Sequence, residues 1–451
     1  MYKFNADELS DFAHHYGFHY NCINPNTIVK EVLTEMEKGL KGKKSSLAMI
    51  PSYITPIKNI PPLKTVLALD AGGTNLRASL VQFNEKGEVV SQGIHKVPMP
   101  GTYGHVNAGQ FFDMIANAAF PLLNSAKVEG IGFTFSYPME ITADADGILL
   151  SFSKEVDAPD VVGKAIGKGL RAALSAKGCN YSGPIALLND TAATLLSGYI
   201  SISPDGEAAR TRVDFNVKNG PVIGFILGTG FNTAYPETVI PKTGFNSSSP
   251  QIVVCESGNF NVRQLGKLDK EYDSTTKNPG SFTLEKSTAG AYLGPLTLQI
   301  LKQAIKDKVL CFRKSDEILN MPHLETRLLN EFAHAPLSNQ GPLGSLFAVD
   351  ESAALAAVQY LTSIVTERGA LFSAAVLAAT IIKTGNGYEP YSPVRIAVEG
   401  TTYMIYKGMR RSLESYLHQM LFREKPRPYI VSPVEQASLF GAAVAALSKG
   451  E

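Results

Sequence analysis

The chain has 451 residues, 44% of them hydrophobic and 18% charged, with a formal net charge of +1. That length exceeds one typical core, so two or more domains, or one large two-lobed unit, are expected. The near-neutral balance leaves no electrostatic footprint for nucleic acid or for an acidic partner.

The opening "MYKFNADELSDF" has no apolar core of a signal peptide, and no run of about 18 apolar residues suggests a membrane span. The four cysteines, Cys22, Cys179, Cys255 and Cys311, lack metal-site spacing and fit reduced thiols in a cytoplasmic protein. The eight histidines form no ligand cluster, so no zinc is expected. Residues 27–40 place Ile28, Val32, Met36 and Leu40 at helical spacing, with Gly39 and Gly42 able to end the helix. The basic run 38–44 reads as a solvated helix end. Residues 49–64 carry four prolines and lead into the first strong strand, 65–70.

After Asp70 comes a glycine turn, then a second alternating run at 75–83, so the turn joins strand to strand. A third strand is expected in 88–97, a helix over 110–126 and a strand over 128–136. Residues 184–190 read as a strand ending in Asp190, and 191–200 as a helix. A polar loop, 203–220, precedes "PVIGFILGTGFNTAYPE" (221–237), which repeats the order strand, glycine-threonine turn, asparagine. That echo suggests two related halves, each offering a phosphate-binding hairpin. The remainder reads as mostly helical, with long segments at 288–307 and 351–385, a strand at 394–400 and a closing helix at 435–450.

Phosphate needs exposed backbone N–H groups, and glycine lets the backbone approach closely. Neither turn is a Walker A loop, since no Gly-Lys-Ser/Thr follows, and neither opens a helix as a dinucleotide fingerprint does. Each alone fits a tight hairpin; two at strand ends favour phosphate. Asp70 beside a phosphate would repel it unless a cation such as Mg²⁺ lies between, or unless Asp70 only caps the turn. Asp190 ends an apolar strand, where α/β proteins place chemistry, and is either a general base or a helix N-cap. Ser136, Lys154, Glu256 and Glu285, with Asn189, make a donor and acceptor set suited to a polyhydroxylated ligand.

These segments, in this order and over nearly the whole chain, resemble the hexokinase family. "LALDAGGTNLRASLVQF" and "FILGTGFNTAYPE" resemble its two phosphate motifs. "GFTFSYP", "GILLSFSKEV", "CESGNF" and "TLEKSTAGAYLGPL" resemble its sugar segments, "LLNDTAATLLSGY" its catalytic segment and "AVEGTTY" its adenosine motif. The resemblance implies an α/β, two-lobed actin-like ATPase (ribonuclease H-like) fold with a cleft. It divides the chain into an N-terminal part packing on the large domain (1–62), a small domain (63–191), a large domain (192–430) and a C-terminal helix (431–451) returning to the small domain. It implies transfer from Mg-ATP to the 6-hydroxyl of a hexose, glucose first, by a monomer or homodimer.

Carried over by position, Asp190 is the base and Lys154 assists at the phosphoryl group. Ser136, Ser153, Lys154, Asn189, Asn232, Glu256 and Glu285 surround the sugar. Asp70, Gly72, Gly73, Thr74, Asn75 and Arg77 serve phosphates and metal, with Gly228 and Thr229 opposite and Gly400 and Thr401 by the adenosine. Two departures stand out. Phe152-Ser153-Lys154-Glu155-Val156 replaces a Trp-Thr-Lys-Gly-Phe segment, and Gln436-Ala437-Ser438-Leu439 replaces a glycine-rich loop, which raises a catalytically weak hexose sensor as the alternative.

Overall fold

A computed structural model of the chain describes residues 2–57, 59–152, 156–202, 220–338, 340–389, 392–423 and 425–448. In chain order its strands are β1 (Ile50–Pro51), β2 (Thr65–Gly72), β3 (Asn75–Phe83), β4 (Glu88–Pro98), β5 (Ile131–Phe135), β6 (Met139–Ile141), β7 (Gly147–Leu149), β8 (Ile185–Leu188), β9 (Ser201–Ile202), β10 (Val222–Leu227), β11 (Phe231–Ile240), β12 (Phe245–Val254), β13 (Val394–Glu399) and β14 (Tyr429–Pro433). Among the described residues these build two six-stranded sheets, ordered β8-β5-β2-β3-β4-β9 and β1-β12-β11-β10-β13-β14, and one small β6–β7 hairpin.

The two sheets share one plan. A glycine-turn hairpin, β2–β3 or β10–β11, continues into an antiparallel third strand, β4 or β12. On its other side the first strand of each hairpin pairs in parallel, β2 with β5 then β8, and β10 with β13 then β14. The repeat read from the glycine turns is thus a repeat of topology. β2 is buried from Val66 to Ala71, as expected of a strand covered on both faces.

The first sheet is sandwiched. The helices Ala108–Ser125 and Ile166–Ala176 cover one face, and Phe111, Ile115, Leu170 and Leu174 pack there against Leu67, Leu69 and Phe133. Asn107 starts the first of these helices with a capping box, exchanging bonds with Gln110. The helix Ala437–Ser448 covers the other face, packing on β2, β5 and β8. It approaches so closely that a Cβ on Gly132 would lie 1.7 Å from the Ala442 carbonyl oxygen.

The second sheet carries the helix Asp190–Ser197, which packs on β10, β11 and β13. This helix also crosses Ala437–Ser448, where a Cβ on Gly441 would lie 2.0 Å from the Ala193 carbonyl oxygen. One apolar core therefore runs between the sheets through two crossing helices. The helix Ser352–Lys383 is the spine of the other core, packing against the helix Pro25–Leu40. It is long and apolar enough to cross a membrane, but 94% of its most apolar stretch is buried inside the protein. Its one fully buried cation, Arg368, is held by both carboxylate oxygens of Asp269 at 2.6 Å.

Two expected elements differ, and a third cannot be compared. The helix over 27–40 begins at Pro25, capped by the Asn24 side chain, and runs through Gly39 to Leu40. The helix over 288–307 is two, Thr283–Thr288 and Leu293–Lys306. The break has a cause: Gly290 N–H donates to the Gly228 carbonyl at 2.7 Å and Ala291 N–H to that of Thr229 at 3.2 Å, so the second glycine turn claims this backbone. In the polar loop 203–220, residues 203–219 lie outside the described residues.

Candidate active site

The first glycine turn closes the β2–β3 hairpin, with Gly72 opposite Asn75 and Gly73 at φ +66°. Thr74 stands at its tip, and its hydroxyl accepts from the Asn75 amide at 3.0 Å. The turn is fastened from outside: the Tyr137 hydroxyl donates to the Gly73 carbonyl at 2.9 Å and Met99 N–H to that of Thr74 at 2.9 Å. Asp70 and Arg77 sit opposite each other in the ladder and form an ion pair. Asp70 is 1% exposed. A Cβ on Gly72 would meet both the Asp70 carboxylate, at 3.4 Å, and the Ser136 hydroxyl, at 3.7 Å, so these three residues are neighbours.

The second turn, Gly228-Thr229-Gly230, closes β10–β11. Gly400 lies directly against it, with φ +124° and space for no Cβ, since one would fall 2.3 Å from the Leu227 carbonyl oxygen. Thr402 adds a hydroxyl bond to the Gly228 carbonyl at 2.8 Å. Gly228, Thr229, Gly400 and Thr401 are thereby brought together at the carboxyl ends of β10 and β13, where parallel strands present ligand-binding loops.

The polar residues beyond this turn form one connected set. Asn232 donates to Glu256 Oε1 at 3.0 Å, and its own Oδ1 accepts from Thr233 N–H at 2.8 Å and Ser257 N–H at 3.1 Å. Glu285 Oε2 accepts from Phe231 N–H at 3.0 Å. Glu256 sits in the left-handed region, φ +55°, an uncommon conformation for a side-chain-bearing residue and one that gathers at functional sites. Burial, then the Asp190 and Glu285 charges, push the Glu256 carboxyl up to about 7. Burial and Asp190 likewise raise Glu285. The three partly buried carboxylates therefore lie close enough to feel one another's charge.

Asp190 is not the N-cap of its helix. That role belongs to Asn189, whose Oδ1 accepts from Thr191 N–H at 2.7 Å, and Asp190 follows as the first helical residue. Lys154 and Ser153 lie outside the described residues. Phe152, in place of the tryptophan of the resembling segment, packs its ring 5.1 Å from that of Tyr137.

One further carboxylate belongs to the site. Glu399 ends β13 just before Gly400, and the Thr194 hydroxyl lies 3.4 Å from its Oε2. Burial, followed by the charges of Asp190 and Asp70, pushes it up to about 7 against a lowering influence of Arg77. It stands electrostatically between the first turn and Asp190. The rule that singled out Asp190, an acid at the carboxyl end of a buried strand, applies equally to Glu399.

In the departed C-terminal loop, Gln436 takes φ +57° and Leu439 is fully buried. The Ser438 carbonyl accepts from the Thr134 hydroxyl at 2.9 Å, which ties the start of that helix to β5. The loop has thus lost its glycines while remaining packed on the first sheet.

Two family models, each described as hexokinase, match residues 13–200 and 222–448. Hexokinase-5 of Oryza sativa subsp. japonica is 30% identical over 453 residues, covering 93% of this chain and 85% of its own. Hexokinase-2 of Candida albicans is 28% identical, with coverage of 93% and 87%. The structure of a hexokinase from Schistosoma mansoni complexed with glucose superposes with a TM-score of 0.73 at 24% identity, over 98% of this chain and 100% of that one.

Proposed function

The chain belongs to the hexokinase family and is a hexokinase-type phosphotransferase that phosphorylates a hexose with ATP, and from that premise we propose how its residues divide the reaction. The acceptor is the 6-hydroxyl of the hexose, with glucose as first choice. The observation that supports this is the neighbouring set Asp190, Glu256, Glu285 and Asn232, with the second glycine turn against Glu285.

Asp190 takes the proton from the attacking hydroxyl. It needs no cap duty, because Asn189 performs it. Glu256, Glu285, Asn232, Ser136, Ser153 and the Asn189 amide hold the remaining sugar hydroxyls, with carboxylates as strong acceptors and the amides as donors. Gly72 to Asn75 and Gly228 to Thr229 line the phosphates, with the threonine hydroxyls and turn N–H groups as donors except that of Gly228, which donates to the Gly230 carbonyl at 3.0 Å; Gly400 and Thr401 lie toward the nucleoside, and Lys154 meets the transferring phosphoryl. Closure of the cleft excludes water, which would otherwise accept the phosphoryl group.

Magnesium fits the donors present. Asp70 offers a buried carboxylate, paired with Arg77, at the mouth of a phosphate turn, and burial followed by the Asp190 and Asp70 charges pushes Glu399 up, a crowding of acids that a divalent cation would relieve. Asp70 would hold the ion through water, and the ion supplies charge neutralisation of the phosphates. Free cysteines throughout suit a cytoplasmic setting. The division into small and large domains at 191–192 stands as part of the same proposal. The sensor alternative is not favoured by the hexokinase relatives.

The deciding experiment is Asp190→Ala. Hexose binding, read by calorimetry, persists, while ADP release falls by about 10²–10⁴-fold. Turnover near that of the wild type would remove Asp190 from its role.

A further inference from the structure

Glu285 sits in a helix of only six residues, Thr283–Thr288, entered through Phe282 in the left-handed region at φ +56°. So short a helix is not stable alone and depends on tertiary contacts, of which the bond from Phe231 N–H to Glu285 Oε2 is one. What flanks Glu285 is unusual. The next residue, Lys286, is 5% exposed; its ammonium pairs with the Asp273 carboxylate and donates to the Asn278 carbonyl at 2.7 Å. The other Asp273 oxygen accepts from Gly280 N–H at 2.7 Å. Together these bonds close the loop 273–280 onto the helix that carries Glu285.

Asp273 is itself anchored. It lies four residues after Asp269 in the helix Lys267–Ser274, and Asp269 is clamped by the buried Arg368 of the core spine. The line of force therefore runs from the core, through Arg368 and Asp269, along one helix face to Asp273, and across to Lys286. On the other side of Glu285, the Thr283 hydroxyl accepts from Val262 N–H at 3.0 Å and donates to the Phe260 carbonyl at 2.9 Å, which joins this helix to the segment carrying Glu256.

A buried ammonium is expensive to desolvate, and replacing such a pair with apolar residues is often neutral for stability. Its presence one peptide from a ligand carboxylate calls for another role. We infer that Lys286, through Asp273 and the loop it closes, is a positioning residue that sets the Glu285 carboxylate for the hexose. The inference rests on the reading of Glu285 as a sugar contact.

The test compares Lys286→Met, the charge-free double variant Lys286→Met/Asp273→Leu, and Glu285→Gln in full-length enzyme, with melting temperatures recorded for each. The double variant removes the unpaired buried charge that could unfold the single one. The expected result is a hexose KM raised about tenfold or more in both Lys286 variants, with the KM for ATP within about twofold of wild type. Glu285→Gln raises the hexose KM as well. If Glu285→Gln raises it and the double variant does not, the positioning role is wrong and the sugar reading stands. An unchanged hexose KM in Glu285→Gln overturns the sugar reading and this inference with it. A parallel rise in both KM values overturns the inference in favour of a general structural role.

Discussion

At the scale of single residues, the site is governed by carboxylates that burial, and then their mutual repulsion, push toward neutrality. Glu256 is pushed up to about 7, so near neutral pH a substantial share of it is protonated in the ligand-free enzyme. A hexose hydroxyl donates best to the ionised form, so binding favours proton loss. The free-state pKa lies above that of the complex, and hexose binding therefore tightens as pH rises from about 6 toward 8 and releases protons. Calorimetry in buffers of different ionisation enthalpy measures that release, and Glu256→Gln should flatten the pH dependence; persistence of the full slope in that variant assigns it elsewhere. Asp70 is tested by its metal. Asp70→Asn keeps the size but loses charge, so the Mg²⁺ concentration for half-maximal rate should rise about tenfold or more. An unchanged requirement would leave Asp70 as the partner of Arg77 and a fastener of the turn.

At the scale of elements, close approach replaces side-chain packing at the most important contact. Gly132 of β5 faces the Ala442 backbone with no space for a methyl group. Gly132→Ala must push strand and helix apart and should cost about 1–3 kcal/mol or more. Gly93 of β4 has nothing within 4 Å of its added Cβ, so Gly93→Ala is the control, with an effect within about 0.5 kcal/mol. Denaturant midpoints for the two variants measure the difference. Elements of this kind were legible where local signals agreed: β2 and β3 show an apolar run, a glycine turn and alternation within 19 residues. They were hidden where a distant partner decides. The break at 289–292 exists because Gly228 and Thr229 accept its N–H groups, a bond formed across some 60 residues. β12 opens with the polar run "FNSSSP" and β14 spans only five residues, so neither has a strong periodic signature. Glu399 is legible by the rule that picks Asp190, an acid at the carboxyl end of an apolar strand, whereas its environment, made by burial and by the distant Asp190 and Asp70, is not.

At the scale of the molecule, two similar sheets meet at two crossing helices, Asp190–Ser197 and Ala437–Ser448, with backbone nearly touching at Gly441. Closure of the cleft, as proposed above, would turn one sheet relative to the other about this crossing. Saturating glucose should therefore lower the radius of gyration in X-ray scattering, and at about 100 times the Kd it should raise unfolding stability by about 2.7 kcal/mol. Scattering unchanged by glucose would argue against closure. The threading of the chain carries a separate consequence for its biosynthesis. β1 and the helix Pro25–Leu40 belong with the second sheet and its spine, whereas Ala437–Ser448 covers the first sheet. A nascent chain thus emerges with a first sheet whose apolar face stays bare until about the last dozen described residues have left the ribosome. The second sheet also waits, because it needs β14 and shares the core that this helix fills. Maturation should therefore wait for the end of this span, and a chain truncated before residue 437 should be cut by protease in its first sheet far faster than the full-length one.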